Sequence, residues 1–131
     1  MAAQLTLTLL AESLAVCRLR SDQDVPQWAL GPGFSSATRA GDELSVVCPQ
    51  DQVPTSITSE RGWRCLKVHG PLGFGLTGIL AELASTLARK EISIFALSTY
   101  DTDYLLVKDK DVSTAIAALR GRGHDVRTGG R

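Results

Sequence analysis

Four glycines between an apolar segment and an amphipathic segment are the residues of this chain whose type and spacing could do chemistry. They are Gly70, Gly73, Gly75 and Gly78. Glycine lets the backbone adopt positive φ and approach a guest closely. The first N–H groups of a helix have no partner inside the helix, so a carboxylate or phosphate is stabilised there. The segment 70–78, which we call the glycine arm, is therefore a candidate anion site.

The glycine arm also contains the dinucleotide fingerprint G-x-G-x-x-G, from Gly73 to Gly78. That fingerprint requires a doubly wound parallel sheet with further βα units. Here the short polar turn Asp101-Thr102-Asp103 lies between two apolar segments, which predicts an antiparallel hairpin. Only residues 104–131 remain after this turn, too few to complete such a sheet. Dinucleotide binding is therefore not expected.

The elements around the glycine arm predict a ferredoxin-like βαββαβ unit. Helical spacing of apolar side chains predicts a helix over 76–90, and alternating or continuous apolar runs predict strands at 63–69, 92–99 and 104–108. A second helix is expected at 112–120, capped by Asp111, and a short strand at 124–127. The fold class is α+β.

The pattern of the N-terminal half predicts a shortened unit that is related to the βαββαβ unit and has an antiparallel sheet. We expect strands at 5–10 and 14–19 joined around residues 11–13, one or two helical turns at 26–30, and a hairpin of 34–39 with 43–48. Thr38, Asp42, Leu44 and Val46 recur 61 residues later. The first copy lacks the glycine arm and most of the long helix. The predicted domains are 1–58, with a connector at its end, and 59–131.

Composition limits the classes of function. The chain has 131 residues, 44% of them hydrophobic, and its 14 basic and 14 acidic side chains balance. A real core is expected, and nucleic acid binding through a basic face is not. No run reaches the roughly 18 to 20 apolar residues of a membrane span, so a cytoplasmic protein is predicted. The three cysteines, Cys17, Cys48 and Cys65, are expected to be buried as small hydrophobic residues. Neither a metal nor a cofactor is predicted.

The segments 57–66, ITSERGWRCL, and 92–107, ISIFALSTYDTDYLLV, together with the glycine arm, resemble the ACT domain, a small regulatory module that binds amino acids. The resemblance is to bacterial two-unit ACT proteins, relatives of the ACT pairs in aspartate kinases and in the animal cytosolic arginine sensors. It covers residues 53–126 and is much weaker over 1–50.

The resemblance implies an amino acid site at an interface between ACT units, where ligand groups meet the glycine arm and the end of the second strand. Transferred to this sequence, the implied ligand residues are Leu72, Gly73, Phe74, Gly75, Leu76, Thr77, Ser98, Thr99, Tyr100, Asp101 and Thr102, together with the stretch Ile57, Thr58 and Ser59. Asp101 and Asp103 are the acids available to a ligand side chain, and the sequence leaves open which of them faces the site.

Two functions from different classes remain at this point. The first is a non-catalytic amino acid sensor that acts on a separate effector protein or on its own homodimer. The second is an interaction protein whose sheets only dimerise. An enzyme is not expected, because His69 and His124 fit no metal-ligand spacing and no residue is evident that would orient a Cys65–His69 pair.

Overall fold

The computed structural model describes residues 4–69 and 78–129. The chain forms two compact units. The large unit contains the chain up to Ala11 and from Arg64 onward, and the small unit is Glu12–Trp63. Residues 4–11 therefore lie with the large unit, whereas the sequence-based division placed them with the N-terminal one.

Seven strands and two α-helices make up the described part of the chain. In chain order, the strands are β1 Thr6–Leu19, β2 Ser36–Arg39, β3 Leu44–Pro49, β4 Ser59–Val68, β5 Ile94–Ser98, β6 Asp103–Lys108 and β7 Asp125–Arg127. The helices are α1 Ile79–Ala88 and α2 Val112–Gly121, and 3-10 turns lie at Gln27–Leu30, Gln50–Gln52 and Asp109–Asp111.

The large unit confirms the predicted βαββαβ order, which runs β4, α1, β5, β6, α2, β7. The strands β5 and β6 are an antiparallel hairpin in which Ser98 lies opposite Asp103, so this part of the chain is not a parallel crossover. Hydrogen-bonded neighbours follow the order β1, β4, β6, β5, and β7 pairs with the start of β1 in parallel. That insertion of β1 beside β7 was not predicted.

One hydrophobic core fills the large unit, with Leu83 and Leu87 of α1 fully buried in it. They lie four residues apart, as the apolar stripe predicts. The other buried members come from α2 and from five strands or their ends: Leu7, Leu9, Leu66, Val68, Ile92, Leu105, Val107, Ala115, Ile116, Leu119 and Val126.

The small unit confirms the predicted N-terminal hairpin, since β2 and β3 pair antiparallel with Thr38 opposite Ser45. On its other side β3 pairs antiparallel with the second half of β1. The helical turns expected at 26–30 are the 3-10 turn Gln27–Leu30. Cys17 and Cys48 lie buried in the core of this unit, as predicted, and Cys65 is buried in β4.

Two local predictions were wrong. Residues 11–13 do not separate two strands, because β1 runs without a break from Thr6 to Leu19. The polar pair Glu12 and Ser13 looks like a turn in sequence, but the Glu12 carboxylate accepts the backbone N–H of Phe34 at 3.3 Å. Asp111 does occupy the N-cap position of α2, yet its side chain makes no capping hydrogen bond. The 3-10 turn Asp109–Asp111 leads into that helix instead.

Candidate functional site

The turn between β5 and β6 contains the sequence-predicted strand end, and hydrogen bonds within it fix its shape. The Thr99 N–H donates to the Thr102 carbonyl at 2.9 Å, and the Thr99 hydroxyl contacts the same oxygen at 3.3 Å. Across the hairpin the Ser98 hydroxyl donates to the Asp103 carboxylate at 2.6 Å. Hydrogen bonds within the hairpin thus close the turn.

The two acids of this turn differ in what they contact. The Asp103 carboxylate accepts the Ser98 hydroxyl, whereas Asp101 is exposed and its carboxylate makes no hydrogen bond or ion pair among the described residues. Tyr100, beside it, is 80% exposed. One oxygen of Asp103 is thus engaged within the hairpin, whereas Asp101 is engaged with none of the described residues.

The end of β4, which leads into the glycine arm, makes hydrogen bonds to β1 on one side and to the turn before β6 on the other. The His69 N–H donates to the Thr6 carbonyl at 2.8 Å, and the imidazole Nε2 lies 2.5 Å from the Thr8 hydroxyl oxygen. On the other side, the buried Thr102 hydroxyl donates to the Val68 carbonyl. His69 is thus a structural partner of Thr8, and no hydrogen bond links it to Cys65.

The remaining predicted site residues are divided between the two units and the undescribed segment. Leu72, Gly73, Phe74, Gly75, Leu76 and Thr77 lie outside the described residues. Ile57 and Thr58 belong to the small unit, where Ile57 packs against the core and the Thr58 carbonyl accepts the N–H of Arg18 at 3.0 Å. Thr58 also lines a cavity of about 470 Å³ with Arg20, Asp22 and Asp42.

Gly78 is the last residue of the glycine arm and the only one of its glycines among the described residues. Gly78, immediately before the helix, has φ of +81°, a left-handed conformation that favours glycine. Its carbonyl accepts the N–H of Glu82 at 2.8 Å, and Gly78, as the N-cap residue, has no side chain that could cap the helix. The N–H groups at the start of α1 therefore receive no side-chain hydrogen bond from the N-cap residue.

A cluster of charged and polar side chains that the sequence did not reveal joins three elements of the large unit. His124, with its side chain 2% exposed, accepts the Leu5 N–H on Nδ1 at 3.1 Å and contacts Glu82 Oε2 through Nε2 at 3.2 Å. Arg122 donates to the same carboxylate at 3.2 Å. Hydrogen bonds from Arg122 and then from His124 lower the pKa of Glu82. Because Nδ1 accepts a hydrogen bond from the Leu5 N–H, Nε2 carries the ring hydrogen. The cluster ties α1 to the start of β1 and to the end of α2.

The described residues offer no arrangement typical of a catalytic or metal centre. No three of their His, Cys, Asp or Glu side chains converge as metal ligands. Burial raises the pKa of Cys48 to about 11 and also raises the pKa of Cys17, so neither thiol is activated as a nucleophile. None of the helices in the described ranges is long and apolar enough to cross a membrane.

Two protein-family models match parts of the chain. Residues 58–121 match the model of the ACT domain, and residues 12–56 match a second model, described as an N-terminal domain. The ACT match covers β4, both helices and the β5–β6 hairpin. Residues 58–121 therefore belong to the ACT domain family, and the chain has the fold of the regulatory domains of aspartate kinases.

Two individual relatives are similar to this chain in sequence. The Agrobacterium tumefaciens protein Atu0741 superposes with a TM-score of 0.92 at 38% identity, over 98% of this chain and 96% of that one. The human cytosolic arginine sensor for mTORC1 subunit 1 is 37% identical over 75 residues, which are 56% of this chain and 22% of the sensor. This chain thus spans about a fifth of the length of that curated relative.

More distant structures share the fold alone. A protein of unknown function from Vibrio cholerae, VC0802, gives a TM-score of 0.75 at 18% identity, over 90% of this chain and 89% of that one. Aspartate kinase from Clostridium acetobutylicum gives 0.64 at 13% identity, over 85% of this chain and 33% of the kinase.

Proposed function

We propose that this protein is a non-catalytic sensor that binds a free amino acid at an interface between ACT units. In this proposal the glycine arm and the start of α1 receive the ligand's α-carboxylate, and the strand end Ser98–Asp101 receives its other polar groups. The observation that carries the proposal is the hydrogen-bonded turn of an ACT domain, in which Asp101 is exposed and Thr102 contacts the end of β4.

Electrostatics support this division of roles. The backbone N–H groups at the start of α1 receive no cap from Gly78, and N–H groups at a helix start carry partial positive charge that favours a carboxylate. Asp101 supplies the opposite charge, and it would favour an amino acid with a cationic or hydrogen-bond-donating side chain. The relative whose name states that it senses arginine makes the basic amino acids the first to test.

Binding without turnover fits the side chains that the structure describes. The two histidines are engaged with Thr8 and with Glu82, and the buried cysteines of the small unit have raised pKa values. A sensor of this size would act through a homodimer or a separate effector protein in the cytoplasm. Ile57 and Thr58 remain predicted ligand contacts on the family resemblance alone.

A thermal-shift screen against the twenty amino acids tests the proposal. A ligand at a hundred times its dissociation constant adds about 2.7 kcal/mol to the unfolding free energy, which raises the midpoint by about 10 °C for a chain of this length. The Gly75→Leu variant should lose that shift, whereas Gly41→Leu, in a small-unit loop where a Cβ would meet nothing within 4 Å, should keep it.

Two outcomes would contradict the proposal. A folded protein that responds to none of the amino acids would favour the second candidate, an interaction protein that only dimerises. A shift that Gly75→Leu and Gly41→Leu leave equally intact would show that the ligand does not use the glycine arm.

A further inference from the structure

Thr102 is the buried residue of an otherwise exposed turn. Tyr100 and Asp101 are exposed, whereas Thr102 is 6% exposed. Desolvating a hydroxyl costs free energy unless it finds a hydrogen-bond partner. The Thr102 hydroxyl has such a partner, because it donates to the carbonyl of Val68, the last residue of β4.

The carbonyl and the hydroxyl of Thr102 both make hydrogen bonds, and their partners lie in different segments. Its carbonyl accepts the N–H of Thr99 at 2.9 Å and so closes the turn that contains the proposed ligand residues. Its hydroxyl leaves the turn and reaches β4, 34 residues earlier in the chain. One residue therefore joins the shape of the turn to the position of the end of β4.

The end of β4 is also tied to β1. The N–H of His69, the residue after Val68, donates to the Thr6 carbonyl at 2.8 Å, and the His69 ring contacts the Thr8 hydroxyl. Val68 itself is fully buried. If the Thr102 hydroxyl were removed, the Val68 carbonyl would lose a bond that water cannot easily replace.

We propose that Thr102 is a positioning residue that couples the turn 98–102 to the end of β4, so that ordering one of them orders the other. This inference rests on the proposed function, because it makes amino acid binding at Ser98–Asp101 the event that is passed to β4 and from there to β1. Thr102 acts through its neighbours and makes no ligand contact in this account.

The chain offers a matched control for the test. Thr86 is also a buried threonine, 4% exposed, and its hydroxyl donates to the Glu82 carbonyl at 2.8 Å within α1. Thr102→Val and Thr86→Val therefore delete the same kind of hydrogen bond at two places. Thr102→Ser keeps the hydroxyl and serves as the conservative variant. Thr102→Ala removes the hydroxyl without putting a methyl group in its place, and it replaces the valine variant if that variant does not fold.

Amide hydrogen exchange of the full chain reads the coupling without a ligand. In Thr102→Val or Thr102→Ala, the Thr99 and His69 N–H groups should both exchange about tenfold faster than in the wild type, because losing a buried partner costs about that factor or more. Thr86→Val and Thr102→Ser should leave both rates within about twofold. If Thr99 accelerates and His69 does not, the coupling is refuted.

Calorimetry with the amino acid that gives the largest thermal shift then separates the two proposals. The dissociation constant should rise about tenfold in Thr102→Val and stay near the wild-type value in Thr102→Ser and Thr86→Val, in line with typical coupling between sites. Equal affinity in Thr102→Val and Thr86→Val would overturn the positioning role. If no amino acid binds the wild type, the sensor function fails, and the exchange rates alone decide whether Thr102 couples the two segments.

Discussion

Two leucines that lie three residues apart on α1 can test which side of the helix faces the core. Leu83 is fully buried in the large-unit core, whereas Leu80 is 38% exposed. Both are leucines in one helix, so Leu83→Ala and Leu80→Ala are chemically identical changes. The face matters for function because α1 places Gly78 and the helix start beside the proposed ligand site.

The expected cost differs because only Leu83 leaves a closed cavity. Deleting a fully buried leucine side chain costs about 2 to 5 kcal/mol, the sum of lost transfer free energy and the cavity that remains. We expect about 3 kcal/mol for Leu83→Ala, and about 1 kcal/mol or less for Leu80→Ala, whose side chain is already partly in water and whose replacement favours the helix. With an unfolding entropy of about 2.1 cal/mol/K per residue, 3 kcal/mol corresponds to a midpoint about 11 °C lower.

Urea denaturation followed by circular dichroism measures both variants. With a slope of about 2 kcal/mol per molar urea, Leu83→Ala should shift the midpoint by about 1.5 M and Leu80→Ala by about 0.5 M or less. Equal shifts, or a larger one for Leu80→Ala, would refute the assigned orientation of α1.

Three further outcomes follow from single contacts. Arg122 and His124 hold the pKa of Glu82 in the folded protein below its ordinary value. The ionised Glu82 side chain therefore stabilises the fold at pH values above its ordinary pKa, and this stabilisation is lost as the pH falls through the lowered pKa of the folded protein. The unfolding free energies of the wild type and Glu82→Gln, measured by urea titration at several pH values, should therefore differ most near pH 7 and converge below about pH 4; a difference that grows in acid would contradict this. Gly78→Ala should lower stability by about 1 to 2 kcal/mol because alanine is strained at φ +81°, whereas Gly41→Ala, which has equal space and no positive φ, should be neutral or slightly stabilising in the same titration. With Cys17, Cys48 and Cys65 all buried, thiol titration at pH 8 should detect little reaction until denaturant is added, and fast labelling of the native protein would refute their burial.

Local patterns in the sequence predicted most of the large unit. The spacing of Leu83 and Leu87 indicated α1, and the polar residues at 101–103 between apolar strands indicated the β5–β6 hairpin, because side-chain periodicity reports directly which face is buried. The composition also indicated buried cysteines. These features depend on residues that are near one another in the chain.

Features that depend on distant residues could not be predicted in this way. The insertion of β1 beside β7 pairs Leu7 with Val126, and no local signal marks that partner. Likewise, His124 precedes a short strand and gives no sign that its ring joins Leu5 to Glu82. Within the candidate site, the resemblance implied Ser98–Thr102 as ligand residues but did not reveal the hydrogen bond of Thr102 to Val68, because that contact exists only after β4 and the hairpin come together.

The most direct test of the sensor account is a titration of ¹⁵N-labelled protein with the amino acid that stabilises it most, followed by amide chemical shifts. The account predicts saturable changes concentrated in the glycine arm, at Ser98–Asp101 and at the start of α1, with weaker changes at His69. Changes confined to residues 12–56, or shifts that never saturate, would contradict binding at this site.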